Sequence, residues 1–426
     1  NVTTGDILGD VGVGGDYFSK SLGTSNLRLG VNAGNSIASG GNFNTVVGDE
    51  AGTAITTGIQ NTLIGGLAGD ALTDADFNVA IGLSALSGDT LGSKSIAIGV
   101  NALQAQNFTS ATDALNVVIG HNSGAAVTTG IANTIIGGLA GDALTDADYN
   151  VAIGHQALSA DTLGNNSVAI GDAALRAQNF TSATNTYNVA VGASAGISVT
   201  TGVRNTIIGG LAGDALTTGS YSVAVGYQAL STEDTADNNT AVGYAALQNL
   251  NGGTQNTAVG QSASAAMTTG NQNTIIGTNA GDALTDADLN VAIGYNALAI
   301  DTLGSKSVAV GDGALANQNF TSATASYNVA VGNDAGRSIT TGRFNVIMGA
   351  RSLYNGNSTC DGGTFIGYGS GGNSGGVTGD NNTFVGYRTG IALTSGSDNT
   401  VLGAAAGIAI TTGIKNTLIG ALCGDN

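Results

Sequence analysis

Proline and tryptophan are absent from this chain of 426 residues, and cysteine, methionine and histidine occur twice each. The lack of proline, with glycine nowhere at every third position, excludes collagen-type architecture. Aromatic residues make up only 5%, so a core must be assembled from Ala, Val, Ile and Leu, which suits thin, closely stacked coils. Charge is scarce and lopsided: 11 Lys plus Arg stand against 29 Asp plus Glu, for a net charge of −18. That balance lacks the basic footprint nucleic-acid binding needs and favours solubility at an exposed surface. Scarce charge does not mean disorder, because 42% of the residues are hydrophobic. No apolar run reaches the roughly 18 residues of a membrane-spanning helix, and no charged-then-apolar leader opens the chain. The start at Asn1, with repeats running almost to Asn426, is expected of an excerpt from a longer protein.

Glycine is what the chain has in abundance, at 70 residues, and its placement predicts the fold. A large apolar residue followed by glycine recurs 23 times, at Gly30, Gly48, Gly65, Gly82, Gly99, Gly120, Gly137, Gly154 and onward to Gly420. Most steps are 17 residues; three are 21 and the few others are 18 or 19. A unit this short cannot bury a core alone and must stack on its neighbours, so the whole chain reads as one solenoid. Each unit reads as a short strand opened by asparagine and closed by glycine, as in Asn61–Gly65, Asn78–Gly82, Asn133–Gly137 and Asn150–Gly154. A second extended segment is expected through stretches such as Ala68–Thr73, giving two strands and two turns per coil. Residues 1–25 read as a lead-in, 26–350 as regular repeats, 351–382 as an irregular glycine-rich insertion, and 383–426 as the final repeats. Four coils form a longer unit of 72 residues, the fourth carrying an insertion at Asn107-Phe-Thr-Ser, Asn179-Phe-Thr-Ser or Asn319-Phe-Thr-Ser. These insertions are expected to bulge.

Asparagine stands four residues before the glycine in 18 of the 23 units. Stacked rung on rung, such asparagines can hydrogen-bond as a ladder along the axis. The strand is apolar on both faces: Ile64 or Ile81 just before the glycine, and Leu63, Ala80 or Ile135 one position earlier. A strand apolar on both faces is buried on both. The residues two before the glycine, Leu63, Ile135, Ile207, Ile275 and Leu418, are assigned to the outer face. A stripe of that kind exceeds what soluble monomers expose, so these five are the candidate oligomer interface, with a parallel homotrimer as the expected assembly. At about 4.8 Å per rung, 23 rungs would extend about 110 Å.

Chemistry is harder to find. The clusters Asp70/Asp74/Asp76, Asp142/Asp146/Asp148 and Asp282/Asp286/Asp288 lack the spacing of a calcium loop and read as solvated turns. Threonine pairs such as Thr56-Thr57 and Thr128-Thr129 recur only every fourth coil, too sparsely for an ice-binding face. His121 and His155 have neither cysteine nor a paired acid nearby, and no glycine cluster forms a phosphate loop. Cys360 and Cys423 are about 15 Å apart by rung count, too far for an intrachain disulfide. Cys423 reads as a buried thiol, and a bridge between Cys360 residues of two copies stays open. No catalytic residue, cofactor or metal site is expected.

The strand motif resembles the head repeats of trimeric autotransporter adhesins. It is similar also to the NTAVGYxAL repeats of bacteriophage tail fibres, matched by Ser222-Val-Ala-Val-Gly-Tyr-Gln-Ala-Leu and Asn239-Thr-Ala-Val-Gly-Tyr-Ala-Ala-Leu. The resemblance covers Asn26 to Gly420 and implies an all-β, left-handed parallel β-roll, three chains side by side, on a virion or bacterial cell surface. The 17-residue repeat is longer than is typical of the adhesin heads. The expected function is a structural fibre or adhesin-type shaft, not an enzyme, with itself and a cell-surface glycan or protein receptor as partners. The alternatives are a self-polymerising extracellular filament and a polysaccharide-degrading tailspike.

Overall fold

In a computed structural model the chain is an all-β parallel β-solenoid, with 23 main strands among the described residues. The structure describes residues 22–372 and 375–425, without a helix among them; most of the expected lead-in, residues 1–21, lies outside the described residues. The chain divides into two compact units, Asn1–Gly210 and Leu211–Asn426. In the first the main strands run from Leu27–Leu29 to Thr206–Ile208, and in the second from Val223–Val225 to Thr417–Ile419. Each has three residues, rich in the β-branched types that suit a pleated surface, and within each unit successive strands pair in parallel register. Thr62 faces Val79, Leu63 faces Ala80 and Ile64 faces Ile81.

The expected second strand is replaced by turns. Ala68–Thr73 is bound rung to rung by hydrogen bonds, Gly69 N–H donating to Ala85 O (2.9 Å) and Thr73 N–H to Thr90 O (3.0 Å). It is not extended because left-handed residues break it: Leu67 has φ 56° and Gly69 φ 55°. Among the described residues, second strands occur only beside the insertions, where Gly92–Ser93 pairs with Thr112–Asp113, Gly164–Asn165 with Thr184–Asn185 and Gly304–Ser305 with Thr324–Ala325. Nor are the insertions free bulges, since Phe108, Phe180 and Phe320 are buried.

The coil interior is filled mainly from mid-strand, four residues after the glycine and seven after it, with a small buried residue such as Ala68 or Ala85 three after the glycine. In most coils the sizes at the main positions are reciprocal, with Ala190/Gly196, Ala330/Gly336 and Ile347/Leu353 among the exceptions. Where mid-strand is large, as at Leu63, Ile135 or Ile207, the fourth position is glycine (Gly69, Gly141, Gly213) and the seventh is apolar (Leu72, Leu144, Leu216). Where mid-strand is Ala80, Ala97, Ala152 or Ala169, the fourth is Leu86, Leu103, Leu158 or Leu175, each fully buried. In those leucine coils the seventh position turns polar and an enclosed network forms. Asp89 Oδ1 accepts the N–H groups of Gly92 (3.0 Å) and Phe108 (3.1 Å), and its Oδ2 accepts from Gln106 Nε2 (2.6 Å). Gln106 Oε1 in turn accepts from Asn116 Nδ2 at 2.8 Å. The same network recurs at Asp161, Gln178 and Asn188, and at Asp301, Gln318 and Asn328. In the coil without an insertion Leu250 replaces the glutamine and Glu233 the aspartate, its longer side chain accepting from Ala236 N–H (2.8 Å) and Gly252 N–H (3.3 Å).

The glycine-rich stretch 351–382 keeps a strand of its own, Thr364–Ile366, paired with Val346–Met348 and Thr383–Val385. Its mid-strand residue Phe365 meets Phe384 edge to face at 5.8 Å, and Gly371 and Gly390 leave the room both rings need.

Candidate interaction surfaces

The ladder residues face their neighbours along the stack, which gives them a structural role. A Cβ on Gly65 would stand 2.5 Å from Gly82 O, and one on Gly137 2.4 Å from Gly154 O. Asn61 is buried: its N–H and Nδ2 donate to Asn44 Oδ1 (2.9 and 3.1 Å), its Nδ2 also to Ala75 O (2.8 Å), and its Oδ1 accepts from Asn78 N–H (2.9 Å). Asn133 and Asn150 repeat the arrangement. Each asparagine thus bridges the coil before it and the coil after it.

The candidate interface residues are placed on the opposite face from the one expected. Leu63, Ile135, Ile207 and Ile275 are at most 1% exposed and pack inside their own coils. Leu418 in the last strand is half-buried and points the same way, its Cδ1 lying 2.6 Å from where a Cβ on Gly424 would be. The outer face belongs to the two flanking columns instead. One is Thr62, Val79 and Ile96 with their equivalents; the other is the residue just before each glycine, including Ile64, Ile208, Ile276, Met348 and Leu402, which are 37–46% exposed. No charged residue occupies either column in any main strand. In each unit the outer sheet face is therefore an uncharged surface, mostly of Val, Ile and Thr.

The titratable groups are turn and core pieces. Asp76 Oδ1 accepts from Ile59 N–H (2.8 Å) and Asp74 Oδ1 from Thr57 Oγ1 (2.5 Å). Burial raises the carboxyls of Asp70, Asp142, Asp214 and Asp282 above their ordinary value. Burial likewise raises Asp301, against the lowering effect of hydrogen bonds from Gln318, Phe320, Gly304 and Thr302. Contrary to the expectation that it lacks a paired acid, His155 has its Nδ1 3.1 Å from Asp172 Oδ1, one rung away, in an exposed pair. Among the described residues no group of three or more His, Cys, Asp or Glu could hold a metal ion, and no helix is long and apolar enough to cross a membrane. Both cysteines are free; Cys360 is buried, with burial pushing its thiol up to about 12, while Cys423 is half-buried. A bridge between Cys360 residues of two copies would require opening the coil.

Two features escaped the sequence reading. Threonines do stand on consecutive rungs, as Thr56, Thr73 and Thr90 or Thr128, Thr145 and Thr162. Their alignment eight residues after each glycine was the available signal. Hydroxyls in these columns are engaged within the stack: Thr73 and Thr145 donate to Thr90 O and Thr162 O, both at 3.0 Å. The other feature is cationic. Of 11 Lys plus Arg, four are arginines between residues 337 and 388 of the second unit. Arg337 pairs with Asp334 (2.9 Å) and Arg343 with Asp361 (3.1 Å), while Arg351 and Arg388 line a groove of about 380 Å³ with Tyr354, Tyr368 and Tyr387.

The fold and these surfaces define the class, a parallel β-solenoid of 17-residue coils compatible with β-roll repeat fibre proteins. No protein-family model matches the chain, and no curated protein matches it.

Proposed function

We propose that the chain is a structural fibre or adhesin-type protein of a virion or bacterial cell surface, whose copies associate side by side as a parallel homotrimer. The observation that carries the assembly is the outer sheet face. Both outward columns lack charge in every main strand of a chain whose net charge is −18. Within each unit the uncharged, largely apolar face exposes more apolar surface than soluble monomers usually carry, and a second copy offers a face of the same chemistry at the same rung spacing. The motif resemblance to tail fibres and adhesin heads supports three chains and a surface location.

The test is the mass of the purified chain by sedimentation or light scattering. Three chains are expected, falling to one when Ile136, Ile208 and Ile276 of the outer column are changed together to Asp, with the β circular dichroism retained. A wild-type chain that stays monomeric at micromolar concentration overturns the assembly. A mass that grows without limit with concentration overturns it in favour of end-stacked filaments.

A further inference from the structure

We infer that the arginine–tyrosine groove of the second unit binds an acidic oligosaccharide, a sugar chain bearing carboxylates. This names a receptor class for the surface role proposed above, and rests on that role only in requiring the groove to face solvent.

The groove arises from the two corner positions that follow the repeat glycine. On three successive rungs the second of these positions is Arg351, Gly369 and Arg388. They are linked as neighbours by backbone hydrogen bonds, Gly369 N–H to Ala350 O (3.1 Å) and Arg388 N–H to Tyr368 O (2.8 Å). The first position supplies Tyr368 and Tyr387, whose rings stack at 5.6 Å and 15° and are 45% and 54% exposed. Gly369 has no side chain to fill the space between the arginines, and a Cβ there would meet Arg388 Cγ at 3.7 Å. The two guanidinium-bearing residues thus flank a gap spanning two strand spacings, about 10 Å, close to the length of a disaccharide. Tyr354 closes one end, with the Arg351 and Arg337 guanidiniums 5.4 and 5.7 Å from its ring centroid.

Charge accounting points the same way. Acids outnumber bases by 29 to 11 in the chain, and the two nearby arginines, Arg337 and Arg343, have each taken a carboxylate. Asp334, one rung from Arg351, is the acid paired with Arg337. Neither Arg351 nor Arg388 has a carboxylate within ion-pair distance among the described residues. A guanidinium presents a planar fork matched to a carboxylate, and the electron-rich faces of stacked tyrosines suit the polarised C–H face of a sugar ring. Forks at both ends with rings between them fit a chain of sugars carrying carboxylates better than an isolated anion.

The experiment is calorimetric titration of the purified full chain at low salt. The probes are oligogalacturonate, oligomannuronate and sialyllactose, each beside its carboxyl-reduced neutral counterpart, together with inorganic phosphate. At least one acidic sugar should bind about tenfold or more tightly than its reduced form and than phosphate, as expected for charge-assisted hydrogen bonds. Changing Arg351 and Arg388 together to Gln should abolish that difference. Glutamine already occupies the same corner position at Gln156 and Gln228, with φ 54° and 53°, so the backbone should be retained. Gly369→Asn, which fills the gap and leaves both arginines, should weaken binding by a similar factor, whereas Lys415→Gln should not. The inference is overturned if no acidic sugar binds, if reduced sugars or phosphate bind equally well, or if the arginine pair is dispensable. Binding is read per chain and mass separately, so a monomer that binds defeats the trimer alone, and a trimer that does not bind defeats this inference alone.

Discussion

At the scale of the residue, the repeat glycine is set by two constraints acting together. Gly137 has φ +134°, a conformation L side chains rarely adopt, and its missing Cβ would lie 2.4 Å from the backbone oxygen of Gly154. The obstructing atom is main chain in the next rung, so relief requires prising two coils apart. Its neighbour Gly138 meets neither constraint: a Cβ there would find only His155 Cδ2, at 3.9 Å. Gly137→Ala should therefore cost at least about 3 kcal/mol of backbone strain and lost stacking, and Gly138→Ala no more than about 0.5 kcal/mol. Thermal or denaturant melting of the two variants checks this; equal midpoints would refute the ladder as the reason for the glycine. Asparagine acts by the complementary route. Asn133 leaves neither its amide nor its carbonyl oxygen idle, donating to Ala147 O (2.7 Å) and accepting from Asn150 N–H (2.9 Å). Serine at the same position, as Ser95, still donates its N–H to Asn78 Oδ1 (2.8 Å) but cannot reach forward in the same way, and there Gln106 supplies a polar partner, its Nε2 3.2 Å from Ser95 Oγ.

At the scale of the coil, the reciprocal sizes of the inward positions make a sharper claim. Leu63→Ala alone should cost about 2–5 kcal/mol by opening a cavity. Gly69→Leu alone should cost about 1–3 kcal/mol by overpacking, since even a Cβ at Gly69 would lie 2.8 Å from Leu72 Cδ1 and 2.9 Å from Leu63 Cδ2. Combined, they recreate the set Ala241, Leu247 and Leu250, which is fully buried in the second unit, and should cost far less than the sum of the singles. A double-mutant cycle on unfolding measures the coupling; simple additivity would show that the reciprocity has no energetic meaning. This pattern also marks what could be read in the sequence and what could not. The period, the strand and the two ladders were legible because glycine and asparagine report backbone needs directly. The orientation of the strand was not, because alternation separates two faces without saying which is inside when both are apolar. The deciding signal lay seventeen residues wide rather than three, in the exchange of Leu63/Gly69 for Ala80/Leu86. The absent second strand was hidden for another reason: leucine at Leu67, with φ 56°, gives no compositional hint of a left-handed turn. The enclosed Asp89–Gln106 network was visible only as joint variation within the chain, Glu233 and Leu250 replacing both partners where the insertion is missing. The groove at Arg351 and Arg388 required knowing that two corner positions two rungs apart share one side.

At the scale of the molecule, the charge is placed as selectively as the apolar residues. Among the described residues it is excluded from the outer sheet columns and, apart from Arg28 in the middle of Leu27–Leu29 and Asp113 in the short strand Thr112–Asp113, sits at corners, in turns and in the few enclosed networks. Four turn aspartates share one environment: Asp70, Asp142, Asp214 and Asp282 sit five residues after a repeat glycine. For the first three, one buried carboxylate oxygen makes no hydrogen bond. Burial raises all four above the ordinary 3.8, because removing a carboxylate from water penalises its charged form. The sign of the consequence follows from linkage. A carboxyl with a raised folded-state value binds its proton more tightly folded than unfolded, so between the ordinary and the raised value the folded chain holds the extra proton. Stability therefore falls as pH climbs through that window and stays at the lower level above it. Acidification from neutrality should raise the melting temperature until the ordinary carboxylate range is reached. Relaxed repulsion within a chain of net charge −18 acts in the same direction, so the wild-type slope alone does not identify these groups. The fourfold change of Asp70, Asp142, Asp214 and Asp282 to Asn separates the two effects, because it removes the four titrations while subtracting only a minor part of the acidic excess. Melting temperature against pH should be flatter for the variant than for the wild type, with the curves converging at the acid end. Parallel curves would mean that burial of these four carboxyls carries no weight and that the pH response belongs to the overall charge.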